Sequence, residues 1–391
     1  MDIFITGLGA ISTIGNNVDE IYASLLAEKT GIRKGTLDHS MKYHVGEVPL
    51  SNEGLMEHFK LKTKGSRTAL LGMVAAKEAF QGHQLMDEVR TGLISGTSVG
   101  GMDITEEEYR NYLKTETFDA EKYKHHPSGT TTEQMAEELG ITGFVNTIST
   151  ACSSAANAIM MGARLIRSNQ LDRVVVGGTD SLTHFTISGF RSLMIFDPEW
   201  CRPFDETRKG LNLGEGAGYI VLESEKSLQL TGKTPLAKLT GWSNASDAYH
   251  QTASSPEGNG AVLAMTKALS VAHLQPTDID YINAHGTATP NNDSSESKAF
   301  INVFEGKVPP FSSTKAYTGH TLAACGGIEA VIAVLSIQNN VLFPNLNHTT
   351  PIEETGLIPV KQITRIENVR NVLSNSFGFG GNNSSLIFSK L

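Results

Sequence analysis

The chain has 391 residues, 39% hydrophobic and 19% charged, a globular composition long enough for two domains or one large duplicated fold. Lys and Arg number 32 against 41 Asp and Glu, a formal charge of -9, which argues against a nucleic-acid partner. Apolar runs such as Ala330 to Ile337 fall short of the ~18 residues that span a bilayer, and the glycine-broken start MDIFITGLGA reads as a strand and turn, so no secretion signal or membrane span is expected and a cytoplasmic location follows.

In chain order, a β-rich run at Asp2 to Thr6 precedes helical patterns at Val18 to Glu28 and Ser66 to Phe80. A β-run at Gly92 to Ser95 leads to helices at Thr131 to Glu138 and Cys152 to Arg167, then a strand at Arg173 to Val176. Gly260 to Ala272 is helical, Tyr281 to Ala284 extended, Ser294 to Val303 and Leu322 to Gln338 helical, and Asn371 to Leu373 extended. This alternation predicts layered α/β architecture. The chain also repeats itself once: ACSSAANAIMMGARLI (Ala151 to Ile166) and ACGGIEAVIAVLSIQN (Ala324 to Asn339) both open with Cys and two small residues and continue as a long apolar helix. Two half-folds, 1–230 and 231–391, are the expectation.

Glycine, 38 of 391 residues, clusters where strand patterns end, which is how loop-borne sites look. Three cysteines, Cys152, Cys201 and Cys325, make a disulfide framework improbable. Lys60, Lys62, Lys64 and Arg67 form a short basic cluster, by charge pattern a solvated loop and helix start.

Cys152 stands among small residues at the start of a buried helix, where the positive helix end favours thiolate and attack on a carbonyl; its bland reading is a small buried hydrophobe. In NAHGTATPNND (Asn283 to Asp293) a β-run ends at His285, a proton donor or acceptor, with Thr287 and Thr289 placed to hydrogen-bond a polar arm. SSTKAYTGHTLAACGGIEA (Ser312 to Ala330) carries Lys315, His320 and Glu329, which read blandly as a loop charge, a capping residue and a helix-surface acid. NSFGFGGNNSS (Asn375 to Ser385) brings backbone N–H groups close to a ligand, as an oxyanion hole requires, or else makes a tight turn between strands. A zinc site built from one Cys and two His lacks close ligand pairs.

Taken in order, ITGLGAISTIG, GTSVGG, STACSSAANAI, VVVGGTDS, CRPFDETRKGLNLGEGAG, NAHGTATPNND, SSTKAYTGH and NSFGFGGNN resemble the β-ketoacyl-acyl carrier protein synthases of the thiolase superfamily, of the elongating type, over nearly the whole chain. The resemblance implies a five-layered αβαβα thiolase fold made of two similar halves, the first carrying the nucleophilic Cys and the second the two His. It implies a homodimer, or a heterodimer with a similar subunit, and decarboxylative condensation of a Cys-bound acyl chain with a malonyl unit. No cofactor or metal is implied; both substrates ride on the phosphopantetheine of acyl carrier protein.

By motif match, Cys152 would take the acyl chain, His285 and His320 would assist decarboxylation, and Lys315 with Glu329 would support them. The backbone N–H groups of Cys152 and Phe379 would form the oxyanion hole. Thr287 and Thr289 would contact pantetheine, and Phe379, Phe190 and Thr105 would bear on the acyl tunnel. Lys60, Lys62, Lys64 and Arg67 resemble the carrier-docking surface. Four positions depart from the family pattern: Asn291-Asn292 stands where a small residue and Gly are usual, Asn382 replaces Thr, and Cys325 replaces Ala. Such asparagine-bearing loops look like those of ketosynthases that build aryl polyene or related pigments. The competing readings are a coenzyme A-dependent thiolase, which uses a second Cys in place of the two-His pattern, a silent chain-length subunit, which would lack Cys152, and a zinc-binding structural protein.

Overall fold

Ten strands share one mixed sheet in the computed structural model, which describes residues 2–36 and 42–391. They are β1 (Ile3–Ser12), β2 (Thr91–Gly96), β3 (Val145–Ile148), β4 (Arg173–Asp180), β5 (Gly216–Ser224), β6 (Ala237–Ser246), β7 (Tyr281–Asn283), β8 (Phe311–Ser312), β9 (Asn371–Gly378) and β10 (Asn382–Ser389). Their order is β8-β7-β9-β10-β6-β1-β5-β4-β2-β3. Read outward from the centre, the first half runs β1, β5, β4, β2, β3 and the second β6, β10, β9, β7, β8. In both halves the first two pairings are antiparallel and the next two parallel. The duplication hinted at by the two Ala-rich helices is therefore a duplication of topology, and the halves join through the short pairing of Phe4 with Lys238 and Ile5 with Ala237.

The helices that matter are α1 (Arg67–Ala79), α2 (Met102–Thr115), α3 (Ser128–Leu139), α4 (Ser154–Arg167), α5 (His184–Ser192), α6 (Asn259–Ala272), α7 (Pro290–Val303) and α8 (Cys325–Asn339). The two-residue period of the strands assigns their layers. Val174 and Val176 of β4 and Ile220 and Leu222 of β5 face a central core with Val372 of β9 and Leu386 and Phe388 of β10. Their neighbours Val175, Tyr219 and Val221 face a second core under α1 and α3, while Leu373 and Ile387 face a third under α6 and α7. Helices α4 and α8 fill the centre, α8 against both β5 and β9, and five layers result.

That placement explains the composition of α8. A helix covered by a sheet on either side needs apolar residues all round, and from Cys325 to Ile337 every residue is buried. The segment Leu322–Asn339 is the one helix among the described residues long and apolar enough to cross a membrane, with mean hydropathy 1.5 over 18 residues, longer than the apolar run read from the sequence, and 89% of it is buried inside the protein.

Arg67 corrects the sequence reading. Instead of joining a docking patch, its guanidinium forks onto Glu215, with Nε to Oε2 at 2.8 Å and Nη2 to Oε1 at 2.6 Å, and donates to the carbonyls of Leu50 and Val48 at 3.0 and 3.1 Å. Bidentate geometry of this kind suits a buried cation. Lys60, Lys62 and Lys64 remain exposed.

Candidate active site

The loops singled out in the sequence all follow carboxyl ends of strands: Cys152 after β3, His285 after β7, Lys315 after β8 and Phe379 after β9. Open α/β sheets gather their ligands at such ends. Cys152 sits just before Ser153, the N-cap of α4, so the helix begins at Ser154, two residues later than the Cys152 start expected from the sequence. Ala151 before it is in the left-handed region at φ 52, so a sharp turn precedes the thiol. Cys152 is 5% exposed and lines a cavity of about 410 Å³ together with His285, His320, Phe377 and Phe379. A second cavity of about 350 Å³ also begins at Cys152 and is walled by Phe185, Phe190, Leu193 and Leu322.

The two imidazoles meet edge to face, with centroids 5.6 Å apart and planes at 84°. His320 Nδ1 accepts the Leu322 N–H at 3.1 Å, so the neutral ring carries its proton on Nε2. His320 is not the capping residue read from the sequence, since Thr321 holds the N-cap position of the turn at Leu322–Ala324, but the bond from Leu322 sets its tautomer. Cys325 packs against the same nitrogen, Sγ to Nδ1 3.7 Å, and burial pushes its thiol up to about 11. The backbone of His320 is held from the other half of the chain, its N–H donating to Asn212 O at 2.7 Å and its C=O accepting from Gly214 N–H at 2.9 Å.

His285 is positioned by a residue the sequence reading missed. Glu296, on α7, accepts the backbone N–H groups of His285 and Gly286 at 2.9 and 2.8 Å and the Asn375 side-chain amide at 3.2 Å. Burial pushes Glu296 up to about 7 against these three donors. Its signal was available: an acid three residues after NAHGTATPNND, on the helix that begins within that motif. Asp180, at the end of β4, was missed in the same way. It accepts from Thr97 Oγ1 at 2.7 Å, from the N–H groups of Ser98 and Val99 at 3.0 Å each, and from Ala323 N–H at 2.9 Å. The GTSVGG loop is thereby tied to the segment after His320.

Lys315 and Glu329 are neither a loop charge nor a surface acid: each is 2% exposed, and Lys315 Nζ meets Glu329 Oε1 at 2.5 Å. Burial disfavours the ammonium, and the carboxylate overcomes it and holds Lys315 above its ordinary range. Neither member of the pair lines the cavity. The resulting field acts on His285: burial first, then the charge of Lys315 and the neighbouring His320, push its imidazole well below the usual value.

Thr287 and Thr289 line the larger cavity with their hydroxyls 2.9 Å apart. Phe190 and Phe379 stack at 5.6 Å and 19° between the two cavities. The NSFGFGG motif is the β9–β10 hairpin, in which Gly380 and Gly381 adopt φ of 82 and 76, a conformation glycine takes without strain. Thr105 is a correction: it lines neither cavity, because its hydroxyl turns to Gly101 O at 3.2 Å and His126 Nδ1 at 2.9 Å. Asn291 turns out to latch a loop, its Oδ1 accepting Ser254 N–H at 2.8 Å and its Nδ2 donating to Ser254 O at 3.2 Å. Among the described residues no cluster of three His, Cys, Asp or Glu is arranged to hold a metal ion.

Duplicated α/β halves with a cysteine and two histidines on one cavity define a condensing enzyme of thiolase fold. Residues 1–227 match the family described as "Beta-ketoacyl synthase, N-terminal domain" and residues 236–349 match "Beta-ketoacyl synthase, C-terminal domain". The 3-oxoacyl-[acyl-carrier-protein] synthase 2 of Staphylococcus aureus (strain COL) is 36% identical, covering 99% of this chain and 98% of that protein. Among solved structures, the ishigamide ketosynthase/chain length factor superposes with a TM-score of 0.94 at 28% identity, covering 100% of this chain and 99% of that one. The ketosynthase ApeO, in complex with its chain length factor ApeC from Xenorhabdus doucetiae, does so with 0.87 at 32% identity, over 100% and 98%. The chain belongs to the beta-ketoacyl synthase family and is an acyltransferase of the condensing class.

Because the unfolded chain takes up a proton at a free imidazole near pH 6.5 while folded His285 does not, this group lowers stability as pH falls below that value. Isotope-labelled histidine NMR of the folded protein at pH 6 is expected to show His285 as a neutral imidazole; an imidazolium signal there would contradict the geometry.

Proposed function

We propose that Cys152 is the acyl-carrying nucleophile of a β-ketoacyl-acyl carrier protein synthase, with His285 and His320 serving the condensation half of the reaction. The observation that carries this reading is the single cavity lined by all three side chains. In the first half-reaction the Cys152 thiolate attacks the carbonyl of an acyl thioester, and the oxyanion faces the backbone N–H groups of Cys152 and Phe379. The attack forms the carbon–sulfur bond to Cys152; collapse of the tetrahedral intermediate restores the carbonyl and breaks the bond to the carrier sulfur, which leaves as a thiolate and takes up a proton. Support for the oxyanion assignment comes from Gly378, the residue before Phe379, where an added Cβ would lie 3.1 Å from the Cys152 nitrogen, so the two loops run close together.

In the second half-reaction a malonyl thioester loses carbon dioxide, and the electron pair of the broken C–C bond passes to the thioester oxygen as an enolate. The imidazole N–H groups of His285 and His320 stabilise that charge as preorganised donors. The enolate carbon then attacks the acyl-Cys152 carbonyl and the thiolate leaves. Lys315 and Glu329 form a closed ion pair that biases His285 toward neutrality. The product is a fatty-acid or polyketide-type chain longer by two carbons, with the second cavity, aromatic-walled by Phe185 and Phe190, as the acyl site.

The same reading assigns residues 1–230 and 231–391 to the two halves, a cytoplasmic location, and a carrier that presents its acyl groups on phosphopantetheine. It also includes a second subunit, identical or similar. Support comes from the exposed Tyr109 and Leu113 of α2 with nearby Phe118, at 55%, 63% and 53%, and from β3 as an edge strand of the sheet, the kind of apolar surface and open edge that a partner covers. Lys60, Lys62 and Lys64, without Arg67, form the carrier-docking surface, since carrier proteins are acidic.

Supplied with acyl and malonyl carrier proteins, the wild type is expected to yield a 3-ketoacyl product and Cys152→Ala none; unchanged product would remove the nucleophile. His320→Ala is expected to lower carbon–carbon bond formation by at least ~100-fold and acyl loading far less, and a selective loss of loading would contradict that division. Reversing charge at Lys62 and Lys64 together is expected to lower the ratio of carrier-borne to small-thioester turnover several-fold, more at low salt; an equal loss on both substrates would refute docking there.

A further inference from the structure

Among the residues that line the larger cavity, Lys209 is the one with a fixed charge. Apart from Cys152, His285 and His320, the rest of the wall is apolar or neutral and polar, with Thr252, Ser254, Thr287, Thr289, Asn291 and Asn292 as well as phenylalanines. The neighbouring cation is already committed, since Arg208 donates to Asp205 O at 2.9 Å, Pro290 O at 3.0 Å and Ser294 Oγ at 2.7 Å. Lys209 is exposed, and among the described residues no carboxylate pairs with it.

Its backbone is nevertheless fixed. Leu211 N–H donates to Ile195 O at 2.8 Å and Asp197 N–H to Leu211 O at 2.9 Å, and a Cβ on Gly210 would lie 2.2 Å from Ile195 O, so the strand-like segment carrying Lys209 is packed against residues 195–197. The latch between Asn291 and Ser254 holds another part of the same rim. A free ammonium thus stands on a rigid base at the mouth of an otherwise uncharged cavity.

A malonyl group delivered on a phosphopantetheine arm brings two anions into reach, the phosphodiester and the malonyl carboxylate. The carboxylate must leave as carbon dioxide, and a fixed cation paired with it would stabilise the ground state and slow its departure. The phosphodiester keeps its charge throughout, and gripping it at the mouth positions the thioester at the floor. We propose that Lys209 binds the phosphate of the carrier's pantetheine arm and sets how deeply the arm enters, a role that rests on the carrier-dependent condensation described above.

The test uses the full-length enzyme loaded with an acyl group and two small donors, malonyl-phosphopantetheine and malonyl-pantetheine, which differ only in the phosphate. The wild type is expected to show a lower KM for the phosphorylated donor, on the order of tenfold, at similar kcat. Lys209→Ala is expected to erase that preference and Lys209→Arg to retain it, with thermal unfolding confirming that both variants fold. A Lys209→Ala variant that keeps the preference, or one that weakens both donors equally and so assigns the lysine to the carboxylate, would overturn the proposal. Absence of any 3-ketoacyl product from wild type with either donor would instead overturn the condensation reading itself.

Discussion

The site depends on how closely two half-folds approach at one point. Gly378, at the end of β9 in the second half, lies against the turn that carries Cys152 in the first: a Cβ added there would stand 3.0 Å from Thr150 O, 3.1 Å from Cys152 N and 3.2 Å from Ser153 N. Backbone atoms cannot give way to a methyl group as a flexible side chain can, so this contact fixes the distance between the Cys152 turn and the loop of Phe379. The second crossing is at His320, whose peptide bonds with Asn212 and Gly214 of the first half. Duplication puts two similar sets of strand ends opposite one another, and these two contacts make one site of them.

Electrostatics then divides the roles. Inside a protein an unpaired charge is costly, and a buried pair is tolerated only with good geometry. Here the charges are kept back from the reacting atoms: Lys315 closes on Glu329, Glu296 is spent on the backbone of the His285 loop, and Asp180 on the GTSVGG loop and Ala323. Besides the exposed Lys209, the titratable groups that line the cavity are a thiol and two imidazoles. Of the other cysteines, Cys201 and Cys325 are held protonated by burial, up to about 12 and about 11.

Much of this was legible in the sequence because the chemistry sits in glycine-rich runs at strand ends. Cys152, His285, His320 and Phe379 could each be picked out, and the two Ala-rich helices signalled the duplication. Convergence was not legible, being a matter of long-range packing. Arg67 shows why: a charge pattern cannot distinguish a solvated guanidinium from one whose partner, Glu215, stands 148 residues away. Thr105 failed for a related reason, since a position on a helix does not tell which way a hydroxyl turns. β5 escaped notice because GAGYIVLES begins with glycines, and α2 because Glu108 is its one buried residue, leaving no apolar stripe to read. Lys315 and Glu329 read as surface charges until the sheets closed around them.

The central claim, that Cys152 alone among the three cysteines carries the acyl group, is tested most directly by locating that group. After incubation with an acyl-carrier protein and no malonyl donor, the intact enzyme would be digested and its peptides mapped by mass spectrometry. The account predicts a single thioester on the peptide containing Cys152. An acyl group on Cys325 or Cys201, or none on any cysteine, would contradict it.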